Sequence, residues 1–333
     1  MTVTIRDVAA AAEVSPATVS RVLNGRVEVD PTLRDRVHSA VSAMGYRPNG
    51  PARSLRTRAT TVLGIIISDV QNPFFTAMVR GIEDTAQRAG YSVILANSDE
   101  DQEKEQRYLE VAAAEQMAGV LLSPATTRAR NLEAVSSRGI PVVTVDRRLR
   151  GATVDSVTVN NYKAAHDATT HLIAGGCRRV AIVAGLLHTT TGARRLAGYK
   201  AALRDAGIHV DEDLIAQANF RMEGGYEATA DLLRRARPDG LFASNNLMTL
   251  GALQALADSG VAIPDDVAVV GFDDISWATA LRPPLTAVQQ PTYDIGRRAA
   301  ELLLGRIRGD GAAPRNLVLP AELVVRGSTR ACT

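Results

Sequence analysis

Val62-Leu63-Gly64-Ile65-Ile66-Ile67, then Asn72-Pro73-Phe74-Phe75, then Tyr91-Ser92-Val93-Ile94-Leu95-Ala96 just beyond Gly90 is the stretch that decides how this chain folds. The first run is apolar without alternation, the mark of a parallel strand covered on both faces. Phe75 to Ala89 has helical spacing and stops at Gly90, and the third run is again a strand. The same alternation continues through a helix from Asp101 to Gln116, a strand from Gly119 to Ser123, a helix from Asn131 to Arg138 and a strand from Pro141 to Val145. A second series follows, with helices Tyr162 to Ala174, Arg194 to Ala206 and Leu247 to Ser259 between strands Val180 to Val183, Gly240 to Ala243 and Val267 to Gly271. Leu317 to Leu319 and Leu323 to Val325 read as closing strands. The pattern predicts an α/β fold of two doubly wound parallel sheets.

Sheets of this kind bind ligands beyond the carboxyl ends of their strands, so the residues there carry the chemistry. They are Asn72, Phe74 and Phe75 after the first strand, Asp146-Arg147, Thr191 and Arg195, Phe220, Asn245-Asn246, Asp273, and Gln289-Gln290. Carboxylates accept and guanidinia donate in pairs, which suits vicinal hydroxyls, while phenyl rings cover the apolar faces of a sugar. For any one of these residues a cap or loop role is the simpler reading. Their joint position at strand ends points to a pocket for a small sugar-like effector.

With 333 residues, 46% hydrophobic and 22% charged, the chain has enough length for two or three cores without staples. Two cysteines and five histidines give neither a disulfide framework nor metal-ligand spacing, so no metal and no cofactor are expected. The longest apolar run is far too short to span a bilayer and no export signal opens the sequence, which predicts a cytoplasmic protein with no membrane partner.

Net charge is +2, but it is unevenly divided. Residues 1–58 hold nine arginines against five acids, so the rest of the chain has two more acids than bases. A basic module ahead of an acidic body suits contact with a phosphate backbone. Within that module Thr4 and Asp7 make a capping-box start, Ser15-Pro16 starts a second helix to about Leu23, and Asp30-Pro31 starts a third that ends at Gly45. Apolar residues Val8, Ala9, Ala12, Val19, Val22, Val37 and Ala40 fall on inward faces, leaving Pro16, Ala17, Ser20 and Arg21 outside. Helix, tight turn, helix and bracing helix is the arrangement that sets a second helix in the DNA major groove.

The runs Val3 to Ala9 and Val14 to Asn24, with Gly45-Tyr46-Arg47-Pro48-Asn49, resemble the DNA-binding head of the lactose-repressor (LacI/GalR) family. The resemblance implies that Pro16, Ala17 and Arg21 face base edges and that Thr4, Ser15, Thr18, Ser20 and Asn24 meet the backbone. It implies that the segment from Asn49 to Arg58 becomes helical on DNA, with Leu55 as a minor-groove wedge beside Arg53 and Arg56. From Thr61 to about Val325 the body is similar to the family's periplasmic sugar-binding-protein-like core. Asn72-Pro73-Phe74-Phe75, Asp146-Arg147 and Gln289 are also similar to ribose-binding proteins, which implies a pentose, with a related hexose, a nucleoside or purine, or a phosphorylated metabolite as alternatives.

The expected organisation is a head over residues 1–48, a hinge helix or linker over 49–59 and an effector-binding, dimerising core over 60–333. Within the core, 60–159 with 290–319 and 160–289 with 320–333 form two subdomains. The function these features imply is that of a sequence-specific transcriptional repressor, a homodimer that grips palindromic double-stranded operator DNA under control of the effector. A sugar-binding protein that does not bind DNA is the rival. No Gly-rich phosphate loop, nucleophile elbow or metal-spaced carboxylate pair is present, so an enzyme is not expected.

Overall fold

A computed structural model describes residues 3–23, 29–46, 60–128 and 132–330. The chain divides into two units, 1–60 and 61–333.

The first unit holds α1 (Ile5–Ala11), α2 (Pro16–Leu23) and α3 (Pro31–Met44). Each start has its own device. Thr4 and Asp7 cap α1 reciprocally, the Asp7 carboxylate accepting the Thr4 N–H at 2.8 Å, and those bonds hold the Asp7 carboxyl below its ordinary pKa. Ser15 Oγ accepts the Thr18 N–H at 3.1 Å, and Asp30 accepts the Thr32 N–H at 2.9 Å. α3 ends on Gly45 at φ 60°, a left-handed residue for which glycine has no steric penalty. In the turn between α1 and α2, Glu13 is also left-handed at φ 50°; Arg36 of α3 donates to the Ala12 carbonyl at 2.7 Å and pairs with the Glu13 carboxylate at 2.9 Å. Val8, Ala9, Ala12, Val19, Val22, Val37 and Ala40 form the core.

The second unit contains two six-stranded sheets. The first orders its strands β11-β5-β4-β3-β1-β2, all parallel, from β1 (Val62–Ile67), β2 (Ser92–Asn97), β3 (Gly119–Leu122), β4 (Val142–Val145), β5 (Asp155–Val159) and β11 (Asn316–Leu319). The second orders β12-β10-β9-β8-β6-β7, from β6 (Val180–Ala184), β7 (Ile215–Gln217), β8 (Gly240–Ala243), β9 (Ala268–Phe272), β10 (Thr286–Gln289) and β12 (Glu322–Val324). Here β12 runs antiparallel to β10, an edge strand against an otherwise parallel sheet. In both sheets the strand order reverses beside the first strand, between β1 and β3 and between β6 and β8, which opens a crevice at the strands' carboxyl ends.

The chain leaves the first sheet after Val159, returns after Gln289 and leaves again between Leu319 and Glu322. The helix Thr292–Ile307 therefore packs on the first lobe, against the helix Pro73–Arg88. Contact is backbone to backbone: a Cβ on Gly81 would meet the Tyr293 carbonyl oxygen at 2.1 Å, and one on Gly296 the Met78 carbonyl oxygen at 2.0 Å. Beneath them Leu63, Ile65, Met78, Ile82, Ile295 and Leu303 are buried in one cluster. β5, β7, β10, the helix Met222–Arg235 and the helix Thr292–Ile307 are elements that the sequence pattern did not predict.

Candidate effector cleft and nucleic-acid interface

Three residues that follow strands sit at positive φ: Asp146 at 64°, Phe220 at 63° and Asp273 at 70°. A left-handed residue turns the chain sharply, and here it turns two carboxylates and one ring into the space between the lobes. All three are buried. They line one pocket with Asn72, Phe74, Phe75 and Arg147 of the first lobe and Thr191, Arg195, Asn245 and Gln290 beyond them.

Charge in the pocket is tightly paired. Arg147 donates to both oxygens of Glu100 at 2.5 and 2.6 Å and to the Pro124 carbonyl, its Nε lies 3.3 Å from Asp146, and its guanidinium sits 5.4 Å from the Phe220 ring of the other lobe. Arg195 donates to Asn161 Oδ1 at 2.7 Å and the Ser244 carbonyl at 2.6 Å while stacking 3.6 Å from the Phe272 ring. Burial pushes the Asp146 carboxyl up to about 6, opposed by Arg147 and Arg195, and burial also raises Asp273 against the pull of Arg195. For Arg147 burial works against the charge, but the Glu100 pair outweighs it and the guanidinium is held more firmly protonated. Burial lowers Arg195, with Asp273 and Asp146 resisting. Four acids, Asp69, Glu100, Asp146 and Asp273, thus face three arginines on the lining, a set of acceptors and forked donors fitted to a neutral polyol.

The cleft is shut. Arg221 pairs with Asp69 at 2.7 Å, and Asn246 Nδ2 donates to Asn72 Oδ1 at 2.8 Å, each bond running from one lobe to the other. The space left at this site is about 30 Å³, room for a water molecule and little more.

Several predicted residues also have local duties. Asn72 caps the helix Pro73–Arg88 through the Phe74 N–H, and Asn245 caps the helix Asn246–Asp258 while donating to the Phe220 carbonyl. Phe74 and Phe75 meet edge to face at 5.1 Å, and the Thr191 hydroxyl lies 3.2 Å from that of Thr189. Asn246 forms the bridge to Asn72 and lines the neighbouring groove, not the pocket itself. Gln289 is a correction. It is the last residue of β10, exposed and paired in register with Glu322, whereas Gln290 is buried and donates to Asp273 at 2.5 Å. Successive strand residues face opposite ways, so an error of one position chose the outward side chain. Asp69, which directly follows the first strand, lines the pocket too, whereas Glu100 and Arg221 line it without having been selected from sequence; Glu100 lies in the acidic run after β2 and Arg221 directly follows Phe220.

In the head, α2 presents Pro16, Ala17 and Arg21 as exposed side chains, with Thr18 and Ser20 half-buried. The hydroxyls of Ser15 and Thr18 lie 2.9 Å apart at its N-terminus, and Thr4 is engaged with Asp7 at the start of α1. Asn24, Asn49, Arg53, Leu55 and Arg56 lie outside the described residues.

Comparison with known proteins gives two family matches, "Bacterial regulatory proteins, lacI family" over residues 4–49 and "Periplasmic binding proteins and sugar binding domain of LacI family" over residues 60–326. Catabolite control protein A of Priestia megaterium is 36% identical over 332 residues, covering 99% of this chain and 100% of the relative. The ribose operon repressor of Bacillus subtilis is 37% identical over 328 residues, covering 98% of each. Among solved structures, the Lac repressor dimer bound to operator and the anti-inducer ONPF superposes with a TM-score of 0.88 at 26% identity, covering 99% of this chain and 100% of that one.

Proposed function

The chain belongs to the lacI family of bacterial regulatory proteins, a DNA-binding transcriptional repressor and not an enzyme, and from that premise we propose that a small neutral sugar, a pentose in the first instance, controls its operator affinity from the cleft between the lobes. The observation that carries this reading is the convergence of Asp146 and Asp273, each on a left-handed backbone, with Arg147 and Arg195 in a cleft sealed by bonds from lobe to lobe. Similarity to the Bacillus subtilis ribose operon repressor supports the pentose.

Small-ligand pockets usually measure several hundred cubic ångströms, so a cavity of about 30 Å³ admits a sugar only after the Arg221–Asp69 and Asn246–Asn72 bridges part. Ligand binding is thereby tied to lobe position. A coupling of about 1–3 kcal/mol between the two changes operator affinity about 5- to 150-fold. In this reading residues 1–48 form the head, 49–59 the hinge and 60–333 the core, and the protein works in the cytoplasm as a homodimer on a palindromic site. Arg21 reads a guanine, Pro16 and Ala17 face bases, and Thr4, Ser15, Thr18, Ser20, Asn24 and Asn49 meet the backbone, with Leu55 between Arg53 and Arg56 in the minor groove. Asn72, Phe74, Phe75, Thr191, Phe220 and Asn245 surround the sugar.

The experiment is a thermal-shift screen of the full chain with ribose, hexoses, nucleosides and purines, followed by operator binding with and without each hit. Stabilisation by a pentose together with a change in operator affinity supports the proposal. Stabilisation by purines or nucleosides alone, or a sugar that binds without touching operator affinity, overturns it.

A further inference from the structure

The geometry points to a second ligand site, for a phosphate-bearing metabolite, in the groove between the lobes lined by Arg148, Arg150 and Arg194. This groove has a volume of about 760 Å³, within the range that small metabolites occupy, and lies beside the crossover at Asn160. It goes beyond the sugar cleft, with which it shares one lining residue, Asp146.

All three arginines are exposed, and among the described residues none of them has an ion-pair partner. Arg297, Arg306 and Arg326 behave differently, each being matched to a carboxylate within hydrogen-bonding distance. The carboxylate on the groove wall, Asp146, is already committed to Arg147. An exposed arginine costs nothing in water, so a solvated basic face is the bland explanation for any one of them. Three on one concave wall act together: a concavity with low-dielectric sides focuses their field and concentrates anions. Guanidinium forks match phosphate oxygens in pairs, a geometry that a monovalent chloride does not use. Tyr162, 39% exposed, and Val318, 55% exposed, supply apolar surface for the carbon skeleton attached to the phosphate.

The walls belong to different lobes. Arg148 and Arg150 come from the loop after β4 and Arg194 from the helix Thr190–Asp205, and the Arg148 N–H donates to Thr190 Oγ1 at 3.2 Å between them. A phosphate held by Arg148 and Arg194 together therefore fastens one lobe to the other.

The test is isothermal titration of the full-length protein in low-salt chloride buffer with glucose 6-phosphate, inorganic phosphate and glucose as separate probes. Saturable binding of glucose 6-phosphate, competed by inorganic phosphate and not by glucose, is expected. Loss of about tenfold in affinity for each guanidinium removed is expected in Arg148→Gln and Arg194→Gln, singly and together, with unchanged melting midpoints because both side chains are exposed. Gln290→Ala, at a residue of the sugar cleft that does not line this groove, is expected to leave phosphate binding intact. Absence of saturable phosphate binding, unchanged affinity in the arginine variants, or loss in Gln290→Ala overturns the site. Because glucose 6-phosphate is read here without operator, failure of the sugar proposal leaves this result standing on its own.

Discussion

Arg221 Nη1 lies 2.7 Å from Asp69 Oδ2, a bond from the second lobe to the first across the mouth of the cleft. Asp69 is nearly buried and Arg221 about a quarter exposed, so the pair is screened less than a surface ion pair and more than an interior one. Arg221→Gln weakens the seal without unpacking either lobe. If opening limits sugar entry, removing about 1 kcal/mol speeds association up to about fivefold. Trp277, the single tryptophan, lines the adjoining groove and gives a stopped-flow signal. An unchanged association rate would show that this bond does not hold the cleft shut.

Asp146 gives a pH dependence with a definite sign. Its carboxyl ionises near 3.8 when unfolded and near 6 in the folded chain, so between those values the folded state binds the extra proton. Stability from this group is therefore lost as pH rises through that window, and the penalty, on the order of 2–3 kcal/mol, is complete above about 6. Asparagine tolerates the left-handed backbone at this position. Asp146→Asn is expected to be more stable than the parent at pH 7.5 and to lose most of that advantage below about pH 3.8 in urea melts. A constant difference across that range contradicts the assignment.

Arg195 neutralises two buried carboxylates. Arg195→Leu leaves Asp146 and Asp273 short of a cation and Asn161 Oδ1 and the Ser244 carbonyl short of a donor. A loss of about 3–5 kcal/mol in urea unfolding follows. A loss below 1 kcal/mol would mean that the site relaxes or admits water.

Gln289 and Gln290 are neighbours with opposite surroundings. Gln290→Ala removes the amide that holds Asp273 and is expected to weaken sugar binding about 2- to 10-fold, whereas Gln289→Ala on the exposed face changes nothing measurable. Calorimetry with the hit sugar decides between them, and equal effects would refute the placement.

Arg21 stands exposed on α2. Its replacement by alanine is expected to weaken operator binding by about 1–3 kcal/mol and to relax the preference at one base pair. A uniform loss over all sequences, with a shallower salt dependence, would instead make Arg21 a phosphate contact.

Both the parallel sheets and the three-helix head were legible because their signals are local: unbroken apolar runs for buried strands, and caps such as Thr4, Ser15 and Asp30 for helices. β5 was not, since Asp155-Ser156-Val157-Thr158-Val159 reads as half polar. All five residues are buried, and the polar ones are satisfied from afar, Asp155 by Arg306 and the Arg315 N–H, Ser156 by Asn316. The helix Met222–Arg235 was hidden by its glycines, which a single sequence scores as breakers. Gly225 is there for packing: a Cβ would meet the Met248 backbone at 2.4 Å. Asp146, Arg147, Arg195, Phe220 and Asp273 were found by position after strands. Glu100 and Arg221 were not, because each owes its place to a partner far away in sequence.

A ribosome making this chain delivers β1 to β5 first, yet the helix that covers their sheet spans Thr292–Ile307 and the sixth strand spans Asn316–Leu319. At about 5–20 residues per second, the nascent first lobe waits many seconds with an apolar face and a sheet edge bare while the whole second lobe is synthesised. The threading that lets one lobe sense the other thus leaves translation with an aggregation-prone interval, during which chaperones have their opportunity to bind.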